Sequence, residues 1–466
     1  MKCSCFRVIC KFLQRIYGQF ERIPLKKRMH FLINIFIGIL IMVAFLLLES
    51  GTWGLQNINM QFDDYIMAES KSSVNFHDRS HQSPNIVFFD IDNAAYVQWG
   101  RPDMVPRDKL ARLVESAYEG EASVIVLDFD LARPDFSPLE KLPSEVQALD
   151  GRQRDDLLRK VLLKIKDQPK NTKVILAATA YEDGTLHKLL YGDLVDNISI
   201  FKASTNFLVN NYDQVARFWK PYDFIRENNE KPEEILWSIP VLATALQLGL
   251  REQLDTNAAE VLKTEKGNVK QVVFSGGQRE AFSFYTTEET PHQYNRIRYF
   301  FVPAGTFGAQ YKGNLNLSGR SWSQGDFIPS KDTALSVKNK IVLIGNSSLD
   351  GGDNHVTPIG KMAGMYVHGN AINTLIHCEQ PRIVGIRMHV LLEMLLTLLA
   401  AYTFLVISPG LARILISLGL VLLLPIGYYF FLKTGIFINF IFPLVGIGIH
   451  ETVSRIEEWY SHRATR

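Results

Sequence analysis

The chain has 466 residues, a formal net charge of +2 and 47% hydrophobic residues. This near balance of charge excludes the strongly basic surface that nucleic-acid binding requires, so no nucleic-acid partner is expected. The four cysteines exclude a disulfide scaffold: Cys3, Cys5 and Cys10 crowd the N-terminus, and Cys378 stands alone in the long middle segment.

The average composition hides two kinds of sequence. Residues 50–386 carry charges of both signs throughout, whereas 31–48 and 388–450 are almost free of charge. A hydrocarbon core about 30 Å thick needs about 20 apolar residues to span it as a helix. Phe31 to Leu48 meets this with Asn34 as its one strongly polar member, and Met388 to Ile407 meets it despite Glu393. Ile414 to Leu432 is apolar, as is Gly435 to Ile449 apart from Asn439. Backbone facing lipid must bond to itself, so each run is expected to be helical. Glu393 and Asn439 are costly against lipid and are expected to face other helices or a partner.

The N-terminal tail holds Lys2, Arg7, Lys11, Arg15, Arg22, Lys26, Lys27 and Arg28 against Glu21. Positive charge favours the cytoplasmic side. The expected layout is a basic cytoplasmic tail (1–30), a membrane helix (31–49), an extracytoplasmic domain (50–386), three membrane helices (388–450) and a short cytoplasmic tail (451–466). This places the chain in a bacterial inner membrane, in contact with the lipid bilayer, with both termini cytoplasmic. A cleaved signal peptide fits poorly, because the lead is long and no small-residue cleavage site follows Leu48.

The middle segment reads as an α/β domain with a mostly parallel sheet. Asn85 to Asp92 is a short apolar run ending in acids, the pattern of a buried strand. Arg107 to Tyr118 has apolar residues at helical spacing, closed by Gly120. Ser123 to Phe129 is a second strand, Asp155 to Ile165 a helix and Lys173 to Ala178 a third strand. Alternation of strand and helix predicts a parallel sheet covered on both faces. The pattern returns with a strand at 340–345 and a helix at 367–376. Residues 185–335 read as a large insertion, with a helix at 239–248 and strands at 272–274 and 297–302. Residues 63–83 are polar and read as a stalk.

These residues resemble a known family, the type-2 CHASE domain (cyclases/histidine kinases associated sensory extracellular). The resemblance rests on Phe89-Asp90-Ile91-Asp92, Gly100-Arg101-Pro102 with Arg107, Leu127-Asp128-Phe129 and Arg133-Pro134-Asp135. It continues through Asn210, Asp213 and Arg217, and through the helix from Ser238 to Leu248. The closing block is the most specific. Lys340 to Gly345 is followed by Gly352 to Pro358, then Gly364, Val367-His368 and Asn370 to Leu375. The resemblance spans about residues 60–385 and implies the same one-plus-three arrangement of membrane helices. It assigns motif roles to Arg107, Asp135, Arg217, Gly345, Thr357, Pro358, Gly364, Asn370 and Asn373. Relatives carry a cytoplasmic enzyme after the last helix. This sequence ends shortly after Ile449, so any signal is expected to pass to a separate protein.

In parallel sheets, ligands sit beyond the carboxyl ends of the strands. Asp90, Asp92, Asp128, Asp353, His355 and His368 are therefore the candidate ligand-binding residues. No cofactor and no dedicated metal site are predicted, although clustered carboxylates would accept a cation. The competing structural reading has these acids capping helix N-termini and bridging to Arg107, Arg133 and Arg217. An enzyme is not expected. Asp90 and Asp92 echo the nucleophile motif of haloacid-dehalogenase-like phosphatases, but Ala94 stands where Thr or Val belongs, and neither Lys338 nor Lys340 is clearly placed to balance charge. The expected function is sensing with relay to a signalling or envelope partner, with homodimerisation as one form of assembly. The alternative is a membrane scaffold.

Overall fold

The computed structural model describes residues 86–135, 150–286, 337–348, 353–377 and 386–434 apart from short gaps, with isolated positions elsewhere. The chain divides into two compact units, Met67–Pro381 and a second one formed by Met1–Ile66 with Arg382–Arg466.

The first unit opens with β1 (Ile86–Ile91), α1 (Asn93–Gln98), α2 (Arg107–Glu119) and β2 (Val124–Leu127). Next come α3 (Gly151–Asp167), β3 (Lys173–Ala178), β4 (Ile200–Ser204), β5 (Phe207–Val209) and β6 (Ala216–Trp219). They are followed by β7 (Tyr222–Ile225), β8 (Glu234–Trp237), α4 (Ile239–Gln247) and α5 (Arg251–Leu262). The unit continues with β9 (Lys270–Gly276), β10 (Arg279–Thr286), β11 (Asn316–Leu317) and β12 (Ile341–Asn346). It closes with β13 (Asn354–Thr357), β14 (Gly360–Ala363) and α6 (Gly364–Ile376).

Six strands form one sheet in the order β11-β1-β12-β2-β3-β4, all parallel. The expected central strands are all present. β4, which falls within the expected insertion, extends the sheet beside β3. β11, also from the expected insertion, extends the sheet beside β1, and the insertion further supplies the antiparallel hairpins β5–β6, β7–β8 and β9–β10. Of the strand expected at 297–302, the described residues Ile297 and Tyr299 lie in no strand, although Ile297 N donates to the Arg217 carbonyl at 2.9 Å; residues 298 and 300–302 lie outside the described residues. The stalk at 63–83 also lies outside them, apart from Asp64.

Side chains alternate across the sheet, as the pleat requires. Val87, Phe89, Ile91, Ile125, Leu127, Val174, Leu176, Val342 and Ile344 pack on one face with Leu110, Leu113 and Val114 of α2 and Leu158 and Leu162 of α3. Phe88 and Leu343 point to the other face and meet α6. There a Cβ on Gly369 would lie 2.4 Å from the Phe88 ring. Absence of a side chain thus sets how closely α6 approaches the sheet. Near-continuous apolar strands are the consequence of covering both faces.

The second unit contains α7 (Ile386–Val406) and α8 (Pro409–Thr434). Among the described residues one stretch, Gly410–Phe430, is long and apolar enough to cross a membrane, with a mean hydropathy of 2.1. Met394–Thr403 is a shorter apolar helical stretch. Leu411, Ile414, Leu418, Val421 and Ile426 of α8 are exposed. The first and fourth expected membrane helices lie almost wholly outside the described residues. Ile436–Phe437, expected to open the fourth helix, instead forms a short parallel pair with Arg382–Ile383. The backbone there satisfies its hydrogen bonds across the chain and not along a helix.

Replacing Gly369 with valine forces its side chain into Phe88 and Leu343. Overpacking of this kind costs about 1–3 kcal/mol. Urea unfolding of the full chain in detergent is expected to show a lower midpoint with an unchanged slope.

Candidate functional site

β12 sits between β1 and β2, so three strand ends converge at one edge. Asp90, near the end of β1, is 4% exposed. The Tyr366 hydroxyl of α6 donates to Asp90 Oδ2 at 2.8 Å, and the Tyr366 ring packs on Phe88 with centroids 4.8 Å apart. Burial pushes the Asp90 carboxyl up to about 6, against the hydrogen bonds from Ser347 and Tyr366. Its Oδ1 has no hydrogen-bond partner among the described residues.

Asp92 does different work. Its side chain accepts from Ala95 N at 2.9 Å and caps α1. The alternating pleat turns Asp90 into the sheet-α6 layer, and the cap fixes Asp92 at the helix start.

A second group forms around His368, which is 1% exposed. Its Nε2 lies 3.9 Å from Asp128 Oδ1, and the Asp128 side chain is 8% exposed. Burial raises the Asp128 carboxyl well above its ordinary range, and the charge of Asp353 adds to this. Burial likewise pushes His368 down to about 3, against the pull of Asp353. Burial thus disfavours the charged form of both groups. Asp128 Oδ2 and His368 Nδ1 have no hydrogen-bond partner among the described residues.

Asp353 and His355 form the outer part of this group. His355 Nε2 lies 2.9 Å from Asp353 Oδ1. Gly364 N, at the start of α6, donates to Asp353 Oδ2 at 3.1 Å. Burial would raise the Asp353 carboxyl, but the His355 hydrogen bond and the nearby histidines hold it below its ordinary range. A Cβ on Gly364 would sit 2.2 Å from Asp353 Oδ2, so only glycine admits this contact. The Phe207 ring of β5 bridges the two histidines, with centroids 4.2 Å from His368 and 5.2 Å from His355.

The arginines expected to neutralise these acids lie elsewhere. The backbone N of Arg107 donates to Asp135 Oδ2 at 3.1 Å, and its Nη2 donates to the Asp130 carbonyl at 3.0 Å. Arg107 Nε is 3.8 Å from Asp155 Oδ1. Asp135 is also paired with buried Arg154 at 3.1 Å. This carboxylate substitutes for a missing cap, because Pro106 offers α2 no side-chain bond. Arg217 makes a two-pronged pair with Asp213, at 2.9 and 2.6 Å. Arg133 contributes its carbonyl, 3.4 Å from Arg107 Nη2. The structural reading thus holds for Asp92 and in part for Asp353. Among the described residues no arginine bonds to or pairs with Asp90 or Asp128, whose neighbours are Tyr366 and His368.

The remaining motif residues shape the backbone. Thr357 Oγ1 donates to the Gly360 carbonyl in the β13–β14 turn, which contains Pro358. Gly345 lets α6 approach β12, since a Cβ would lie 2.7 Å from the Met365 side chain. Asn370 Nδ2 donates to the Tyr366 carbonyl at 2.8 Å, and the Asn373 carbonyl accepts from His377 N at 3.2 Å. Glu393 lies in α7; Asn439 and Asn210 lie outside the described residues. Tyr366, Phe207, Arg154 and Asp155 escaped the sequence reading. Tyr366 alone carried a signal, since it falls inside the closing motif block.

Among the described residues, no three His, Cys, Asp or Glu side chains are grouped to hold a metal ion. Lys338 pairs with Glu121 at the amino edge of the sheet, the opposite end from Asp90.

A parallel sheet covered on both faces, with polar groups gathered at its carboxyl edge, defines the class: an α/β domain whose ligand sites form at that edge. Within that class the chain belongs to the CHASE2 domain family, whose model matches residues 38–408. CHASE2 is a family of sensory extracellular domains. Comparison with curated proteins and with solved structures gave no match.

Two outcomes follow from this geometry. Asp90 is buried with its carboxyl raised from 3.8 to about 6, so the unfolded state releases the proton first as pH rises. Ionisation of the folded state then costs up to about 3 kcal/mol. Asp90→Asn is therefore expected to gain stability relative to wild type between pH 4 and pH 6, with no relative change below pH 4, by urea unfolding. Asp135→Ala leaves the Arg154 charge buried without its partner, which costs about 3–5 kcal/mol. A loss under 1 kcal/mol would show that this pair does not hold α2 and α3 together.

Proposed function

We propose that the protein is a multi-pass sensor of the bacterial inner membrane. Its CHASE2 domain faces the periplasm and responds at the carboxyl edge of its sheet. Its membrane helices pass that response to a separate signalling protein.

One observation carries the proposal. α6 bears Tyr366 and His368, which engage both buried carboxylates, and it ends at Ile376, shortly before α7 begins at Ile386. A change at the site therefore acts on a helix that leads by a short connection into the apolar segment. The exposed apolar faces of α8 favour a lipid setting. The basic tail favours a cytoplasmic N-terminus. A signal moves such a system only through unequal affinity for two states.

Reporter fusions test the layout. Alkaline phosphatase fused after Thr286 is expected to be active, and the same enzyme fused after Ser408 inactive. A cytoplasmic reporter should give the reverse. Activity of the phosphatase after Ser408, or its silence after Thr286, contradicts the proposed topology.

A further inference from the structure

Asp128 and His368 are buried side by side at the carboxyl edge. His368 Nε2 stands 3.9 Å from Asp128 Oδ1, beyond hydrogen-bond reach. Asp128 Oδ2 and His368 Nδ1 have no partner among the described residues. Buried polar atoms left unpaired are costly, so they favour a guest that bonds to them. Asp353 lies on the water side of this pair. Its Oδ1 is 2.9 Å from His355 Nε2 and its Oδ2 accepts from Gly364 N, which leaves acceptor capacity on the carboxylate. Phe207 packs against both histidines. Side-chain exposure falls inward, from 47% at Asp353 and 27% at His355 to 8% at Asp128 and 2% at His368. The group is therefore open to water at one end and buried at the other.

We propose that Asp128, Asp353 and His368 form a binding site for the primary ammonium group of a small amine, entered from the Asp353 side and walled by Phe207. The proposal deepens the sensory reading and rests on it only in calling the amine a signal.

The chemistry of the group selects this guest over others. Among the described residues, neither Asp128 nor Asp353 pairs with a lysine or an arginine, so a phosphate or a carboxylate meets uncompensated acids. A bare metal ion needs several ligands closing on it at about 2.0–2.6 Å. Among the described residues no three His, Cys, Asp or Glu side chains are so grouped. An ammonium bonds its acceptors at about 2.8 Å, and so suits a wider cradle. It carries three donors. The group offers three acceptors: a carboxylate oxygen of Asp128, one of Asp353 and a ring nitrogen of His368, which burial keeps neutral. The Phe207 ring adds an attraction for a cation. Elsewhere in this domain a buried acid has a guanidinium beside it, as Asp135 has Arg154. At Asp128 the ammonium of the guest takes that place.

Thermal unfolding of the full chain in detergent micelles near pH 7.5, followed by tryptophan fluorescence, reads the site with ethylammonium chloride as the probe. At about 100 mM, compared with sodium chloride at the same concentration, the probe is expected to raise the melting temperature by about 2 °C, the shift that a Kd near 10 mM gives. Tetramethylammonium chloride, a cation without N–H donors, should do no more than sodium chloride. Asp128→Asn should abolish the ethylammonium shift. A purely structural role for Asp128 would move the starting melting temperature and leave the shift intact. If Asp128→Asn does not fold, Asp353→Asn at the exposed mouth takes its place and should at least halve the shift. No shift in wild type, an equal shift with tetramethylammonium, or the full shift in a folded variant overturns the site. Binding needs neither partner nor membrane orientation, so failure here leaves the sensory topology to its own test.

Discussion

β12 is hydrogen-bonded to β1 on one side and to β2 on the other, although more than two hundred residues separate it from both in the chain. Six residue pairs join it to β1, from Ile86 with Ile341 to Ile91 with Asn346. The arrangement continues past the strand ends, where Ser347 N donates to the Ile91 carbonyl and Asp128 N to the Ile344 carbonyl. This insertion of a late strand into the middle of the sheet brings the loop after β12, the hairpin β13–β14 and helix α6 over the ends of β1 and β2. Slipping the register by one residue would turn Asp90 to the other face of the sheet, away from Tyr366. Each feature of the site follows from that pairing.

The acids at this edge divide by what compensates their charge. Asp135 and Asp155 lie among Arg107 and Arg154, and Asp213 is held by Arg217. These pairs tie the starts of α2 and α3 and the β5–β6 hairpin into place. Asp90 and Asp128 are buried with a tyrosine and a histidine as neighbours. A hydroxyl or a neutral imidazole stabilises a carboxylate far less than a guanidinium does, so burial raises both acids.

Helix α6 links the two halves of this arrangement. Gly369 and Gly345 let it lie close against Phe88 and β12, while Gly364 makes room for the Asp353 carboxylate at its start. The same helix presents Tyr366 to one buried acid and His368 to the other.

Much of the fold was legible in the sequence. Short apolar runs ending in acids mark strands buried on both faces, and helical spacing marks α2, α3 and α4, because these patterns depend only on local geometry and burial. The apolar stretch within α8 and the motif blocks of the CHASE2 family were readable for the same reason. The partners of the charges were not. Asp90 meets Tyr366 across 276 positions of sequence, and Arg107 bonds Asp135 where the sequence equally allowed Asp90 or Asp128. β4 joined the sheet from inside an apparent insertion, and Phe207 reached the histidines from a hairpin without any motif. Sequence alone determined the central strands, the helices that cover them and the apolar stretch within α8. Tertiary structure decided which carboxylates are neutralised and which are left to a tyrosine and a histidine, because that choice depends on strand order and register, which no local pattern encodes.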